Sequence, residues 1–234
     1  MTIELFDLAG ADPAVRFSPY CWRIRMALAH KGLDVHTLPW RFVEKQAISA
    51  SGQGAVPVIV DRGRVVHDSW AISLYLDEAY PDRPKLFSGS QARGLSNILR
   101  FWTQSALHPV ILKTILNDLF AALDPGDKAY FRSSREERFG MPLEKFAFSP
   151  ESGAAVLEKA LGPFRAALDS QEFVCGSKPA YADYIVFGAF MWARAVSPIA
   201  LLDRKDPVHA WRERMLDLHD GLGRNAPIAA KADA

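Results

Sequence analysis

The first residues that could do chemistry are Ser18-Pro19-Tyr20-Cys21, which keep the frame of a C-x-x-C dithiol motif but carry serine at its first position. The attacking thiol of such a motif normally holds that position. A serine needs a base to become a nucleophile, and no neighbouring acid or histidine is spaced to act as one. A serine can instead donate a hydrogen bond to a thiolate that another molecule brings. The stretch "SPYCWRIRMALAHKG" predicts a helix, with Ser18 at its start, Pro19 in its first turn and Gly32 at its end. A helix N-terminus carries partial positive charge and unpaired N–H groups. Moving a thiol pKa from about 8.5 to about 6.5 needs about 2.7 kcal/mol. A hydrogen bond to a charged group supplies about 1.5–3 kcal/mol, and the helix terminus about 0.3–1 kcal/mol more. Ser18 and its helix are therefore sufficient to activate an external thiol. The simpler alternative is that Ser18 is only an N-cap.

Two further stretches have the chemistry to hold a small polar molecule. In "GAVPVIV", Val56-Pro57 stands where a loop enters a strand, a position that tolerates proline. X-Pro bonds also accommodate a cis peptide, which would turn the Val56 N–H and C=O outward to pair with a peptide. In "HDSW", Asp68 and Ser69 lie at a strand-to-helix junction, with Ser69 expected as the N-cap. That hydroxyl and helix N-terminus could hold a carboxylate, and Asp68 an ammonium. An α-amino acid carries both groups.

These residues need elements to position them. "TIELFDL" and "DVHTLP" read as strands around the first helix, and a polar loop without clear period runs from Arg41 to Ala55. "VPVIVDRGRVVHDS" reads as a hairpin turning at Asp61 to Arg64, and "SWAISLYLDEAYP" as a helix that Pro81 stops. The order β-α-β, loop, β-β-α makes a small four-stranded α/β layer. After the proline-rich stretch "PDRPKLFSGSQ" no convincing strand remains. Pro109 is expected to bend the first long helix, and "YADYIVFGAFMWARAV" to be a buried central helix. The expected units are residues 1–82, a linker at 83–91, and an all-helical unit at 92–234 with a long insertion around 118–150. The segment beginning "DPGDKAYFRSSREERFGMPLEKFAFSPES" is read as an irregular stretch that packs, through its aromatics, over a neighbouring surface.

Bulk properties narrow the function. The 234 residues carry a net charge of +1, with 49% hydrophobic and 24% charged residues, as in an ordinary soluble protein. No broad field favours nucleic acid, and basic spots such as "SSREER" are balanced by acids and expected on solvated surface. The two cysteines, Cys21 and Cys175, favour a reducing compartment over a disulfide framework. No signal peptide is visible, and the apolar run Tyr184 to Ala193 is too short for a membrane span. A cytoplasmic protein is expected. The six histidines lack metal-ligand spacing, so no metal is expected.

S-P-Y-C, then V-P, then D-S, followed by an all-helical half, resembles the glutathione transferase superfamily over essentially the whole chain. The resemblance implies a thioredoxin-like β-α-β-α-β-β-α domain followed by an all-α helical bundle. It implies glutathione as cosubstrate, with Ser18 donating to its sulfur and Val56 pairing with its cysteinyl part beside cis-Pro57. Asp68 and Ser69 would bind the γ-glutamyl amine and carboxylate. Lys45 and Gln53, with Arg41 and Gln46, are candidates for the glycine carboxylate. A second, aromatic or otherwise hydrophobic electrophile would meet Phe17 and Tyr20 from the first unit, and Phe101, Ser105 and His108 from the second. Trp22, Trp70, Trp102, Trp192 and Trp211 are simply expected in the core. A homodimer is implied as well. "AGADPAVRF", "SPYCW", "DSWAIS" and "YPDRP" resemble the bacterial β-aryl etherase branch and its fungal relatives, in which the thiolate displaces a phenol from the carbon bearing an ether oxygen. The capping motif P-[ST]-x-A-D here reads Pro179-Ala180-Tyr181-Ala182-Asp183, without the usual hydroxyl. Cys21 is expected to be a small buried residue. Two alternatives remain: a glutathione-dependent thiol–disulfide oxidoreductase or peroxidase that uses Cys21, and a non-catalytic glutathione- or ligand-binding protein.

Overall fold

The computed structural model describes residues 2–230. Positions 1 and 231–234, at the outer ends of the two expected units, lie outside the described residues. Four strands form one sheet in the order β2-β1-β3-β4: β1 (Ile3–Leu8), β2 (Val35–Trp40), β3 (Val58–Asp61) and β4 (Arg64–His67). β1 runs parallel to β2, with Ile3 opposite Val35, and antiparallel to β3, with Phe6 opposite Val58. The β3–β4 hairpin turns at Arg62 and Gly63, whose φ of 52° and 80° suit the tight turns that match strand twist. Helix α1 (Pro19–His30) makes the β1-to-β2 crossover, and α2 (Ser69–Ala79) follows β4. The loop expected from Arg41 to Ala55 contains a 3₁₀ turn, Lys45–Ser51. So short a turn leaves no 3.6-residue period to read.

The second half is helical: α3 (Ser90–Trp102), a π-type turn (Thr103–Leu107), α4 (His108–Ala122), α5 (Pro125–Phe139), α6 (Leu143–Phe146), α7 (Pro150–Ala160), α8 (Gly162–Leu168), α9 (Tyr181–Val196) and α10 (Pro207–Gly221). The bend expected at Pro109 takes the form of the π turn just upstream. A proline cannot donate to the carbonyl four residues back, here Ser105, and its ring crowds that carbonyl; a widened turn relieves both.

The stretch read as irregular is largely helical. α4 continues to Ala122, and Asp124 caps α5 by accepting from the Gly126 N–H at 2.9 Å. Pro125 fills the first turn, and Gly140, at φ 68°, ends the helix. Its apolar stripe is weak, so periodicity misses it. Asp-Pro at its start and Phe-Gly at its end are the cap signals that mark it. Its aromatics do pack over a neighbouring surface, with the Phe131 and Tyr130 rings 5.9 and 6.0 Å from Phe42, and Phe139 stacks on Phe146 with centroids 3.7 Å apart.

α9 is buried almost throughout and packs along α1. Contact is so close that a Cβ on Gly188 would collide with the Pro19 carbonyl oxygen. Ala180 makes no side-chain cap bond, as its missing hydroxyl implies. Asp183 compensates: its carboxylate accepts from the backbone N–H of Val174 (2.9 Å) and Ala180 (3.0 Å) and from Trp211 Nε1 (3.0 Å). The Tyr181 hydroxyl donates to the Ser69 carbonyl at 2.7 Å, tying α9 to the start of α2. Among the described residues no helix is long and apolar enough to cross a membrane.

Candidate functional site

A cavity of about 680 Å³ opens between the sheet domain and the helical half, and Ser18, Val56 and His108 are in its wall. Ser18 is the N-cap of α1: its oxygen accepts from the Cys21 N–H at 3.2 Å. Capping uses a lone pair and leaves the hydroxyl proton to donate. Among the described residues no oxygen or nitrogen accepts that proton, and the Cys21 thiol is the one group close enough to feel it. Ser18 is only 3% exposed, so a bond from this proton would form away from bulk water.

Cys21 faces inward. It is fully buried, with Sγ 3.9 Å from the Phe6 carbonyl. Burial first, and then the Asp7 carboxylate, push its thiol well above the usual range. It fits the expected role of a small core residue, and these surroundings oppose a thiolate.

The Val56–Pro57 peptide is cis. Among the described residues, no hydrogen bond engages the Val56 backbone N–H or C=O. Lys45 Nζ lies nearby, donating to the Gly54 carbonyl and standing 5.0 Å from the Trp40 ring centroid. Gln53 donates to the Ala55 carbonyl at 2.8 Å and is not itself in the cavity wall.

At the start of α2 the structure corrects the expected cap. Asp68, not Ser69, is the N-cap; its Oδ1 accepts from Trp70 and Ala71 N–H, both at 3.0 Å. Asp68 adopts φ 67°, a conformation that side chains other than glycine rarely take and that often marks functional positions. It is exposed with Oδ2 unpartnered among the described residues, while Ser69 is buried at the first helical position. Neither is in the wall of the cavity.

Of the residues expected to meet a second substrate, Phe17, Tyr20 and His108 line the cavity. Phe101 and Ser105 do not. Phe101 is 55% exposed, and the Ser105 hydroxyl donates back to the Phe101 carbonyl at 2.8 Å. In a regular helix 101, 105 and 108 would share a face. The π turn adds a residue and rotates the phase, so Gln104 comes to the cavity with His108.

Hydrogen-bond direction around Tyr20 follows from donor inventories. Arg23 is fully buried, and its Nη2 lies 3.5 Å from His108 Nε2. A guanidinium only donates, so Nε2 accepts and the imidazole proton sits on Nδ1. That nitrogen is 3.4 Å from the Tyr20 oxygen, and Gln104 Nε2 donates to the same oxygen at 3.4 Å. With donors on both sides, Tyr20 keeps its own proton for the cavity. Burial, aided by Arg23, pushes His108 down to about 3, so its ring is neutral near neutral pH.

The remaining wall is aromatic and basic: Trp40, Phe42 and Tyr130 beside Arg135 and Arg138. The solvated-surface assignment of "SSREER" therefore holds for only one side of α5. Arg132 pairs with Glu136 and Glu144, whereas Arg135 turns to the cavity.

The chain matches known proteins along both halves. The family model described as glutathione S-transferase, N-terminal domain, matches residues 13–84, and the one described as glutathione S-transferase, C-terminal domain, matches residues 94–215. A glutathione S-transferase-like protein, ustS, of Aspergillus flavus is 26% identical, the match covering 94% of this chain and 86% of that one. The crystal structure of glutathione transferase GSTFuA2 from Phanerochaete chrysosporium superposes with a TM-score of 0.76 at 27% identity, covering 94% and 93% of the two chains. A Ceriporiopsis subvermispora glutathione S-transferase, solved in complex with glutathione, superposes with a TM-score of 0.82 at 23% identity, covering 98% and 99%. With both halves matched, and a thioredoxin-like sheet domain preceding a helical one, the chain belongs to the glutathione S-transferase family.

Proposed function

We propose that this protein is a glutathione-dependent transferase whose Ser18 hydroxyl, at the N-terminus of α1, holds the glutathione sulfur as a thiolate. The observation that carries this proposal is the Ser18 hydroxyl in a cavity wall at the start of α1, its proton taken by no oxygen or nitrogen among the described residues, with Cys21 three residues on buried too deeply to serve as a thiolate. The surroundings fit the tripeptide. The unpaired Val56 N–H and C=O suit its cysteinyl backbone. The unpartnered Asp68 oxygen suits the γ-glutamyl ammonium, and the start of α2 its carboxylate. Lys45, which lines the cavity, suits the glycine carboxylate better than Gln53, which does not and whose amide is taken by the Ala55 carbonyl.

Glutathione supplies the nucleophilic sulfur. Ser18 and the α1 terminus hold negative charge on it, and the aromatic wall excludes water and orients an electrophile. The Tyr20 proton points to the leaving group. Cleavage of a β-aryl ether suits this layout: a carbon–sulfur bond forms, the carbon–oxygen bond breaks with its electron pair on the phenolate, and Tyr20 donates a hydrogen bond to that oxygen. The etherase assignment rests on the early sequence stretches and on this proton. Nothing in the surroundings of Cys21 favours a redox function.

A pH titration of glutathione in the presence of the protein, followed by the ultraviolet absorbance of the thiolate, tests the proposal. The bound thiol is expected to ionise about two units below its ordinary value of about 8.5. An unshifted titration of saturated protein would defeat it.

A further inference from the structure

Two arginines near the cavity are neutralised. Arg41 pairs with Asp124 and Glu44, and Arg132 pairs with Glu136 and Glu144. Arg135 and Arg138 differ. Both line the cavity, and among the described residues neither forms an ion pair. The Arg135 guanidinium is 4.9 Å from the Phe131 ring centroid and 5.6 Å from that of Phe42, and its only polar partner among the described residues is the neutral Ser134 hydroxyl at 3.1 Å. Burial lowers its proton affinity, Tyr130 opposes that in part, and the neighbouring positive charge of Arg138 lowers it further. The rest of the wall offers no carboxylate, for it includes no Asp or Glu. Its third cation, Lys45, already donates to the Gly54 carbonyl and is assigned above to glutathione.

Two like charges in one wall, Arg135 over aromatic rings and Arg138 near it, with no carboxylate, leave a site short of an anion. We infer that Arg135 and Arg138 form an anion-recognising wall, so that the second substrate is an aromatic compound bearing a carboxylate or similar anionic group. The ring would lie against Phe42, Phe131 and Tyr130, and the anion would bridge the two guanidiniums. Arg135 is the specificity residue in this arrangement, because its position over two rings fixes the anion relative to the aromatic plane. Arg138, which is exposed, closes the pair from the cavity mouth.

The inference rests on the proposed function for what happens at the sulfur, and its test does not require turnover. The probes are 3,5-dinitrobenzoate and 3,5-dinitrobenzamide, which share ring and shape and differ in charge, each titrated by calorimetry into the full-length protein without glutathione. The carboxylate is expected to bind about tenfold tighter than the amide, a difference of about 1.4 kcal/mol. In Arg135→Gln/Arg138→Gln the preference is expected to fall to within about threefold, and Arg135→Lys/Arg138→Lys is expected to restore part of it. Thermal melting of each variant separates this from loss of folding. Equal binding of the two probes by the unaltered protein would overturn the inference. So would a preference that survives loss of both arginines in a folded variant. A parallel glutathione titration distinguishes the two claims: carboxylate preference without glutathione binding would leave the anionic wall standing and remove the transferase mechanism.

Discussion

Replacing Ser18 with alanine removes two things with separate magnitudes. The oxygen that accepts from the Cys21 N–H disappears, so α1 loses its cap. Cap removal costs about 0.5–2 kcal/mol of stability, and in a chain of this size each kcal/mol lowers Tm by about 2–4 °C. The donated proton is lost as well. If it bonds to the thiolate, its removal costs about 1.5–3 kcal/mol, a fall in kcat/KM of about 10- to 150-fold at 1.36 kcal/mol per decade. Because 1.36 kcal/mol is also one pKa unit, the limb of the pH–rate profile that reports thiol ionisation should move up by about one to two units. The helix terminus and its backbone N–H groups persist, so activity should not vanish. The assay is steady-state conjugation of an activated aryl halide at several pH values, with Tm measured in parallel. Ser18→Thr, which keeps both functions of the oxygen, should recover most of the rate. An unchanged kcat/KM and pH profile, alongside the expected drop in Tm, would refute thiolate stabilisation by Ser18 and leave it only a cap.

Three other perturbations follow from the geometry. Tyr20→Phe should slow turnover of substrates with a poor, protonatable leaving group by about 10-fold or more while sparing those that lose chloride; equal effects on both in steady-state assays would remove Tyr20 as the proton donor. Gly188→Ala drives a methyl group into the Pro19 carbonyl of α1. Overpacking of this kind costs about 1–3 kcal/mol, and it should lower both Tm and turnover, because Pro19 adjoins Ser18; a melting curve and rate matching the unaltered protein would contradict the close packing of α1 and α9. His30 and His219 join the domains through a directed chain: His219 Nε2 donates to the Tyr184 oxygen (3.3 Å), Tyr184 donates to His30 Nδ1 (2.7 Å), and His30 Nε2 donates to the Lys85 carbonyl (3.1 Å). Burial holds both histidines below their ordinary value of 6.5, with the His30 ring adding to the effect on His219. The unfolded chain therefore takes up protons first on acidification. Their stabilising contribution is full above about pH 6.5 and is lost as pH falls below it. Tm measured between about pH 7 and 5 should fall less steeply in His30→Gln/His219→Gln than in the unaltered protein, and identical slopes would contradict this.

The features legible in the sequence were those whose signal is local. Ser18, Pro19 and Gly32 mark both ends of α1, and the alternation around Val58 to His67 marks the hairpin. Val56-Pro57 and Asp68-Ser69 are adjacent pairs, each at the edge of an element. Features that depend on phase or on distant partners were not legible. One extra residue in the π turn moves Phe101 and Ser105 off the face of His108 and brings Gln104 onto it. The order of Asp68 and Ser69 at the α2 cap turns on a positive φ, which residue type alone does not announce. α5 hides because Arg132, Glu136 and their neighbours give it a solvent-like composition, although one face of it forms a cavity wall. Arg23, buried in the first helix beneath Tyr20, carries no sequence mark of its contact with His108, 85 residues away.

The account depends first on the cavity holding glutathione, so the most direct measurement is a calorimetric titration of the reduced protein with glutathione to millimolar concentration, repeated on Asp68→Ala. Saturable binding with one site per chain is predicted, weakened about tenfold or more when the Asp68 carboxylate is removed. A folded protein that binds no glutathione, or that binds it equally well without Asp68, would contradict the site as assigned.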